Sequence, residues 1–308
     1  MKMLVTGGAG FIGSHFVEWT VKNRPEVELI VLDKLTYASV VGADTLESLE
    51  VPLIVGDIAN PDDVDKAASG VDVIINFAAE THNDNSIDSP DIFFKTNVLG
   101  TLELVKYAAT QDIRFHQIST DEVFGDLPLE GLEKFTEDSP YRPSSPYSAS
   151  KAAADHIVRA WIRTYGLKAT ISNCSNNYGP RQHPEKLIPR TIELISRGER
   201  PILYGRGENI RDWIHVEDHV KGVWAVLEKG SIGETYLFGA DCERQNRQVV
   251  DSILKAHHIP SDYVTFVKDR PGHDLRYAIS ALKAQKMLGW EPRQSFDLFL
   301  MESGTLHA

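Results

Sequence analysis

A doubly wound α/β fold with a mostly parallel sheet is what this sequence predicts, on three observations. Short apolar runs alternate with amphipathic stretches through residues 1–180, the rhythm of repeated βα units. A glycine-rich turn follows the first apolar run directly and opens a helix. Beyond about residue 180 that rhythm breaks, and proline, glycine and arginine grow denser in GPRQHPEKLIPR, LYGRGENIRDW and DRPGHDLRY. The expected organisation is a sheet domain over 1–180 that carries the chemistry. A smaller, loop-rich lobe over 181–308 supplies the substrate pocket, with some exchange of chain between the two.

The strands are expected at MLVTG (3–7), ELIVLD (28–33), PLIVGD (52–57), DVIINFAA (72–79), FHQIST (115–120) and ATISNCSN (169–176). Their continuous apolar character suits strands covered by helices on both faces. Between them, 13–23, 61–69, 91–110 and 147–165 carry helical periodicity. Asp62 and Asp63 follow Pro61 at the start of the second helix, where negative charge suits the dipole. No internal repeat or low-complexity tract interrupts the chain.

In TGGAGFIG, residues 6–13, the spacing of Gly7, Gly10 and Gly13 fits a Rossmann-type turn. Such glycines permit a tight turn, close approach of backbone to a pyrophosphate, and close helix-on-strand packing. Asp33 ends the second strand 20 residues past Gly13. A carboxylate there accepts hydrogen bonds from an adenosine ribose and repels a 2′-phosphate, so NAD is expected over NADP, with Lys34 beside it pulling the other way. Asp57, at the end of the third strand, either reaches the adenine ring or caps the helix that starts at Pro61. The small residues of FAAETH, 77–82, let a dinucleotide lie across the sheet edge. His82 in that stretch is expected to make a structural hydrogen bond.

SPYSASK, 145–151, places Tyr147 and Lys151 four apart on a helix, facing the same side. A tyrosine with an ordinary pKa near 10 is a poor base at neutral pH. An ammonium one turn away, with a positive nicotinamide ring, favours the phenolate, which can take a hydroxyl proton while hydride leaves carbon. Upstream, ISTDEVFGD, 118–126, sets two adjacent carboxyls, Asp121 and Glu122, behind a strand. An adjacent acid and base are useful only if they titrate apart.

Bulk composition bounds the rest. Hydrophobic content of 42% with 25% charged residues is ordinary for a soluble globular protein. No apolar run approaches the roughly 20 residues needed to span a bilayer, so no membrane partner is expected. The N-terminus enters a strand pattern at once, without the basic and apolar regions of a signal peptide. Cys174 and Cys242 form no CxxC pair, which suits a reduced, cytoplasmic setting. With no clustered His, Cys and carboxylate spacing, no metal is expected. A net charge of −12 argues against general nucleic-acid binding. Any phosphorylated ligand must be met by locally placed cations.

Taken together, TGGAGFIGSH, FAAETH, STDEVFGD, SPYSASK, NNYGPRQHPEKLIP, YGRGENIRDWIHVEDH and DRPGHDLRYAI make the chain resemble the extended short-chain dehydrogenase/reductases. It is similar above all to the dTDP-glucose 4,6-dehydratase family, from residue 1 to about 292. The resemblance implies that Tyr147 and Lys151 serve oxidation at C4, that Asp121 is the general acid at the C6 oxygen, and that Glu122 is the base at C5. Thr120 would hydrogen-bond the 4-hydroxyl together with Tyr147. It also implies an NAD site of Gly7, Gly10, Phe11, Ile12, Gly13, Asp33, Lys34, Leu35, Thr36, Asp57, Ile58, Phe77, Ala78, Ala79, Glu80, Thr96, Tyr147, Lys151 and Asn177. A nucleotide sugar would meet Thr81, Thr120, Asn176, Lys186, Leu187, Tyr204, Asn246 and His273, with Arg211 and Arg270 on its diphosphate. A homodimer built on the 91–110 and 147–165 helices is implied in the same way.

Three stretches depart from that family. HNDNSI, 82–87, stands where a Val-Asp-Arg-Ser-type run is usual, removing a positive charge near the cofactor and leaving the local ion pairing open. Phe124 stands where tyrosine is common. The chain closes on FLMESGTLHA where the family runs a last helix with tryptophans, so pocket closure or stability is expected to differ. Rival readings keep the fold and cofactor but change the reaction, to a nucleotide-sugar C4-epimerase or decarboxylase, or remove it, leaving a non-catalytic NAD-binding regulator.

Overall fold

The computed structural model describes residues 1–302; the last part of the FLMESGTLHA tail, 303–308, lies outside the described residues. The chain runs β1 (Lys2–Thr6), α1 (Phe11–Asn23), β2 (Glu28–Asp33), α2 (Ala43–Ser48), β3 (Leu53–Val55), α3 (Pro61–Ala68), β4 (Val73–Asn76), α4 (Asn83–Asp88), α5 (Pro90–Phe93), α6 (Thr101–Thr110), β5 (Arg114–Thr120), α7 (Pro146–Tyr165) and β6 (Ala169–Cys174). It continues with β7 (Asn176–Tyr178), α8 (Leu187–Ser196), β8 (Ile202–Tyr204), β9 (Ile210–His215), α9 (Val216–Lys229), β10 (Thr235–Phe238), β11 (Glu243–Gln245), α10 (Asn246–Ala256), β12 (Thr265–Val267), α11 (Leu282–Leu288) and α12 (Phe296–Glu302).

Seven strands form one parallel sheet in the order β10-β6-β5-β4-β1-β2-β3. The order reverses between β1 and β4, where a doubly wound sheet opens a crevice at its carboxyl edge. The central strands β1, β4, β5 and β6 are buried on both faces, as their unbroken apolar runs require. The edge strand β3 is only partly covered and ends on the exposed Val55. Met3 and Val5 pack with Phe16, Val17 and Trp224 on one side. Leu4 joins Ile74, Leu104 and Phe115 on the other.

The structure differs from the sequence expectation in four places. The sheet takes its seventh strand, β10, and the covering helix α9 from chain beyond residue 180. The apolar run 72–79 pairs only as far as Asn76, whose buried side chain accepts from the Thr6 hydroxyl at 2.6 Å and donates to Gln117 at 2.9 Å. Residues 91–110 are not one α-helix, because a π-helical stretch, Phe94–Gly100, separates α5 from α6. The fourth difference is in the tail, which does begin a helix: Phe296 and Leu300 of α12 pack with Tyr178 and Trp213.

The second lobe holds a small sheet in the order β11-β9-β7. Because β7 follows β6 almost directly, this sheet stands at the carboxyl edge of the large one. Among the described residues no helix is long and apolar enough to cross a membrane.

Candidate active site

The glycine turn is held by contacts that only glycine tolerates. Gly7 adopts φ +69°, and a Cβ there would lie 2.6 Å from the Ala78 backbone nitrogen. A Cβ on Gly13 would stand 2.2 Å from the Gly7 carbonyl oxygen. These contacts bring the start of α1 against the ends of β1 and β4. Gly10 caps α1 without a side-chain hydrogen bond, so the first-turn N–H groups have no side-chain acceptor. A Cβ at Gly10 would meet only the Gly7 oxygen, at 3.3 Å, and otherwise project into open space. That cradle fits a pyrophosphate on a helix N-terminus.

Asp33 is buried and receives the Ala9 N–H at 2.9 Å and the Leu35 N–H at 2.8 Å. Lys34 does not stand free beside it, since its Nζ lies 2.8 Å from Asp57 Oδ2. Burial alone would raise Asp57, yet the Lys34 hydrogen bond and the Ala59 N–H outweigh it and hold the carboxyl below its ordinary range. The cap of α3 is Asn60, which accepts from the Asp62 N–H at 3.1 Å, so the capping role considered for Asp57 belongs to another residue. Asn60 directly precedes Pro61, three residues nearer than Asp57, with the extended backbone a cap needs.

Glu80 is set by Asn97 in the π-helical stretch. Asn97 accepts from the Glu80 N–H at 2.9 Å and donates to its carbonyl at 3.1 Å and to Ser150 at 2.8 Å. The widened turn supplies this reach, a common use of π-bulges near functional sites. His82 caps α4, its Nδ1 accepting from Asn85 N–H, the structural role expected of it.

Helix α7 starts as its sequence dictates: Ser145 and Ser148 form a capping box around Pro146 at the first position. Tyr147 and Lys151 are buried one turn apart. Lys151 donates to the Ile118 carbonyl at 2.7 Å, tying α7 to β5. Burial lowers the lysine, with Asp155 one turn further on opposing the shift. Asp155 in turn accepts from Ser119 at 2.7 Å and Tyr141 at 2.8 Å. Burial first, then the Glu122 charge, push Tyr147 well above the ordinary tyrosine range, against a hydrogen bond with Thr120. Lys151 alone therefore does not yield a phenolate.

After β5 the chain turns through a 3-10 helix, Asp121–Phe124, capped by the Thr120 hydroxyl, which accepts from the Glu122 N–H at 3.3 Å. Asp121 is buried and its Oδ2 has no hydrogen-bond partner. Burial, then the charges of Glu122 and Asp212, hold its proton far above the usual carboxyl range. Glu122 Oε2 receives the Asn83 amide at 2.9 Å. Burial pushes the nearby Cys174 thiol up to about 12, which removes it as a nucleophile at neutral pH.

One cleft is lined by Gly7, Gly10, Phe11, Ile12, Gly13, Asp33, Lys34, Thr36, Asp57, Ile58, Phe77, Ala78, Ala79, Glu80, Thr81, Thr96, Thr120, Asp121, Glu122, Tyr147, Lys151, Asn176, Asn177 and Lys186. Leu35, Leu187, Tyr204, Arg211, Asn246, Arg270 and His273 lie outside its lining. Arg211 is buried, donates to the Asp274 carbonyl at 2.9 Å and stacks over Tyr277. Arg270 Nη1 pairs with Asp84 at 3.1 Å, and Tyr204 donates to the same carboxylate at 3.0 Å. The ion pairing left open in HNDNSI is thus supplied from the second lobe. Four residues near the site went unread in the sequence: Asn83, Asn97, Ser119 and Asp155. Only Asp155 carried a signal, since it sits four residues past Lys151 on the same helix face.

A doubly wound sheet whose glycine turn and Tyr-x-x-x-Lys helix share one cleft defines an extended short-chain dehydrogenase/reductase. The GDP-mannose 4,6 dehydratase family model matches residues 4–302, and the chain belongs to that family. A dTDP-glucose 4,6-dehydratase of Mycolicibacterium smegmatis is 49% identical over 300 residues, spanning 96% of this chain and 89% of that one. The crystal structure of a dTDP-glucose 4,6-dehydratase from Streptomyces venezuelae with NAD bound aligns at a TM-score of 0.94 and 42% identity, covering 99% of this chain and 96% of the other. A UDP-glucose 4-epimerase of Thermotoga maritima aligns at 0.89 and 27%, covering 99% and 98%.

Proposed function

We propose that this protein is an NAD-dependent hydro-lyase that converts a nucleotide-diphosphate hexose, dTDP-glucose, to its 4-keto-6-deoxy product. The observation that carries the reading is the pair of adjacent carboxyls in the cleft. Asp121, buried, keeps its proton, while Glu122 is held by an amide donor, and both share the cleft with Tyr147. An epimerase has no need of a proton donor and acceptor beyond its hydride steps.

The glycine turn, Asp33 and the Tyr147–Lys151 face would hold the cofactor. Bound NAD would accept hydride from C4, return it to C6, and set a positive ring beside Tyr147. Tyr147, aligned by Thr120, takes the 4-hydroxyl proton. The resulting 4-ketone acidifies the C5 proton, which Glu122 removes. Asp121 delivers its proton to the C6 oxygen, and water leaves. Glu122 then returns a proton to C5. The cycle leaves Tyr147 holding one extra proton and Asp121 short of one, so a proton passed from the tyrosine to the aspartate resets the site.

Lys186, partly exposed and donating to the Thr81 carbonyl at 3.1 Å, supplies a cation at the far end of the cleft. Arg211, Arg270, Tyr204, Asn246, Leu187 and His273 are assigned to the nucleotide and its diphosphate, with residues 181–308 as the substrate lobe. Cytoplasmic residence and a homodimer complete the reading. The exposed apolar side chains of Ile92, Phe94 and Leu99 support a dimer face on the α5–α6 segment.

Incubation with dTDP-glucose is the direct test. A 4-ketone product that absorbs in alkali is expected, whereas a galactose product would mean epimerisation. Glu122→Gln should accumulate reduced cofactor without product. Normal turnover in that variant removes Glu122 from the mechanism.

A further inference from the structure

From the segment that departs from the family, we infer that Asn83 is a positioning residue that aims the proton acceptor Glu122. This inference rests on the dehydratase reading and deepens it. Asn83 is the first residue of α4, and its side chain bridges two elements of the cleft. Its Nδ2 donates to Glu122 Oε2 at 2.9 Å, and its Oδ1 accepts from the Ser145 hydroxyl at 2.9 Å. Ser145 is the cap of α7, two residues before Tyr147, so Asn83 ties the acceptor to the helix that carries the oxidising tyrosine. The Glu122 carboxylate fixes the amide's orientation, because only the NH₂ can serve it, which leaves the carbonyl oxygen to receive the Ser145 hydroxyl.

The consequence is chemical. A glutamate rotates freely about its terminal torsion unless its oxygens are held. With Oε2 tied to Asn83, Oε1 is the atom left to face C5. The groups around this carboxylate do not fix it in the same way. Asp121 precedes it on the same turn and Tyr147 and Tyr277 face it, with Lys186 a cation that acts on it. These set its electrostatic surroundings, whereas Asn83 makes the directional bond. Asn83 itself lies outside the cleft lining, behind the carboxylate it holds. Its effect should fall on one step and leave binding alone.

Asn83→Val removes the bridge, and Asn83→Asp keeps the size and suits the first turn of a helix while losing the donor. Both are compared with the parent on dTDP-glucose for kcat, KM, transient reduced-cofactor absorbance and exchange of solvent deuterium into C5. Expected is a fall in kcat of about tenfold or more, the loss of one directional hydrogen bond to a charged group. KM should be unchanged, reduced cofactor should accumulate, and deuterium exchange should slow in step with kcat. Thermal melting identifies a misfolded variant, and Asn83→Asp decides the matter should Asn83→Val fail to fold. Parent turnover with a well-folded variant of unchanged kcat, or with a loss confined to KM, overturns the role of Asn83 alone. A parent that makes no 4-ketone overturns the dehydratase reading and this inference with it.

Discussion

Replacing Gly13 with alanine sets two effects of opposite sign against each other. Within a helix, alanine is favoured over glycine by about 1 kcal/mol, and Gly13 lies in the first turn of α1. Against that, the new Cβ would stand 2.2 Å from the Gly7 carbonyl oxygen, 2.9 Å from its carbon and 3.0 Å from the Gly8 Cα. Those neighbours are backbone, so no side chain can swing aside. Backbone shifts forced by overpacking cost up to about 3 kcal/mol. The net expectation is a loss of about 2 kcal/mol, with the turn displaced from the helix start it serves. A displaced turn would also misalign the N–H groups proposed to hold the pyrophosphate. At cofactor one hundred times the parent Kd, binding adds about 2.7 kcal/mol of stability, and a tenfold weaker site keeps only about 1.4. Melting curves with and without NAD, with calorimetric titration of NAD, read both terms. A Gly13→Ala protein that melts at or above the parent and keeps the full NAD-induced rise would refute the reasoning.

Two further outcomes follow from the same geometry. Burial pushes Asp212 up to about 6 from an ordinary 3.8. A raised folded-state value means that its contribution is full below about pH 3.8 and is lost as pH rises through about 6. Asp212→Asn should remove that loss, worth about 3 kcal/mol for a shift of roughly two units, and so melt higher than the parent at pH 7 but not at pH 4. Equal melting gaps at both pH values would contradict it. Phe16, fully buried with its ring 5.2 Å from Phe77 and 5.7 Å from Trp224, anchors α1 beneath the glycine turn. Phe16→Ala should cost about 3–5 kcal/mol in denaturant unfolding, and a cost below 1 would show that the site collapses without a cavity.

What the sequence made legible was local. The glycine turn, the strand it follows, Asp33, the serine-proline start of α7 and the Tyr147–Lys151 spacing all lie within a few residues of the features that define them. Relations across long separations were not legible. The seventh strand of the sheet returns from residue 235, where the chain otherwise reads as a loop-rich lobe. Asp84 finds its cation in Arg270, 186 residues away, and nothing in HNDNSI names that partner. The π-helical turn at Asn97 was hidden for another reason. Helical periodicity registers an amphipathic face, and one widened turn shifts that face too little to show.

Asp121 and Glu122 are neighbours in sequence, yet the proposed reaction asks them to behave as an acid and a base. The backbone settles how. A 3-10 turn has three residues per turn, so successive side chains diverge by about 120°. Asp121 is thereby sent inward toward β9, into a setting that includes the acidic Asp212 and leaves one of its oxygens unpartnered. Glu122 is sent toward α4 and meets the amide of Asn83. Burial favours a neutral carboxyl at Asp121. The Thr120 hydroxyl caps this turn from the end of β5. That cap keeps Thr120 beside Tyr147 while its neighbours part. One turn of backbone thus gives two like residues different surroundings, a difference the proposed reaction would use. The residues that make those surroundings differ come from β9 and α4, far along the chain.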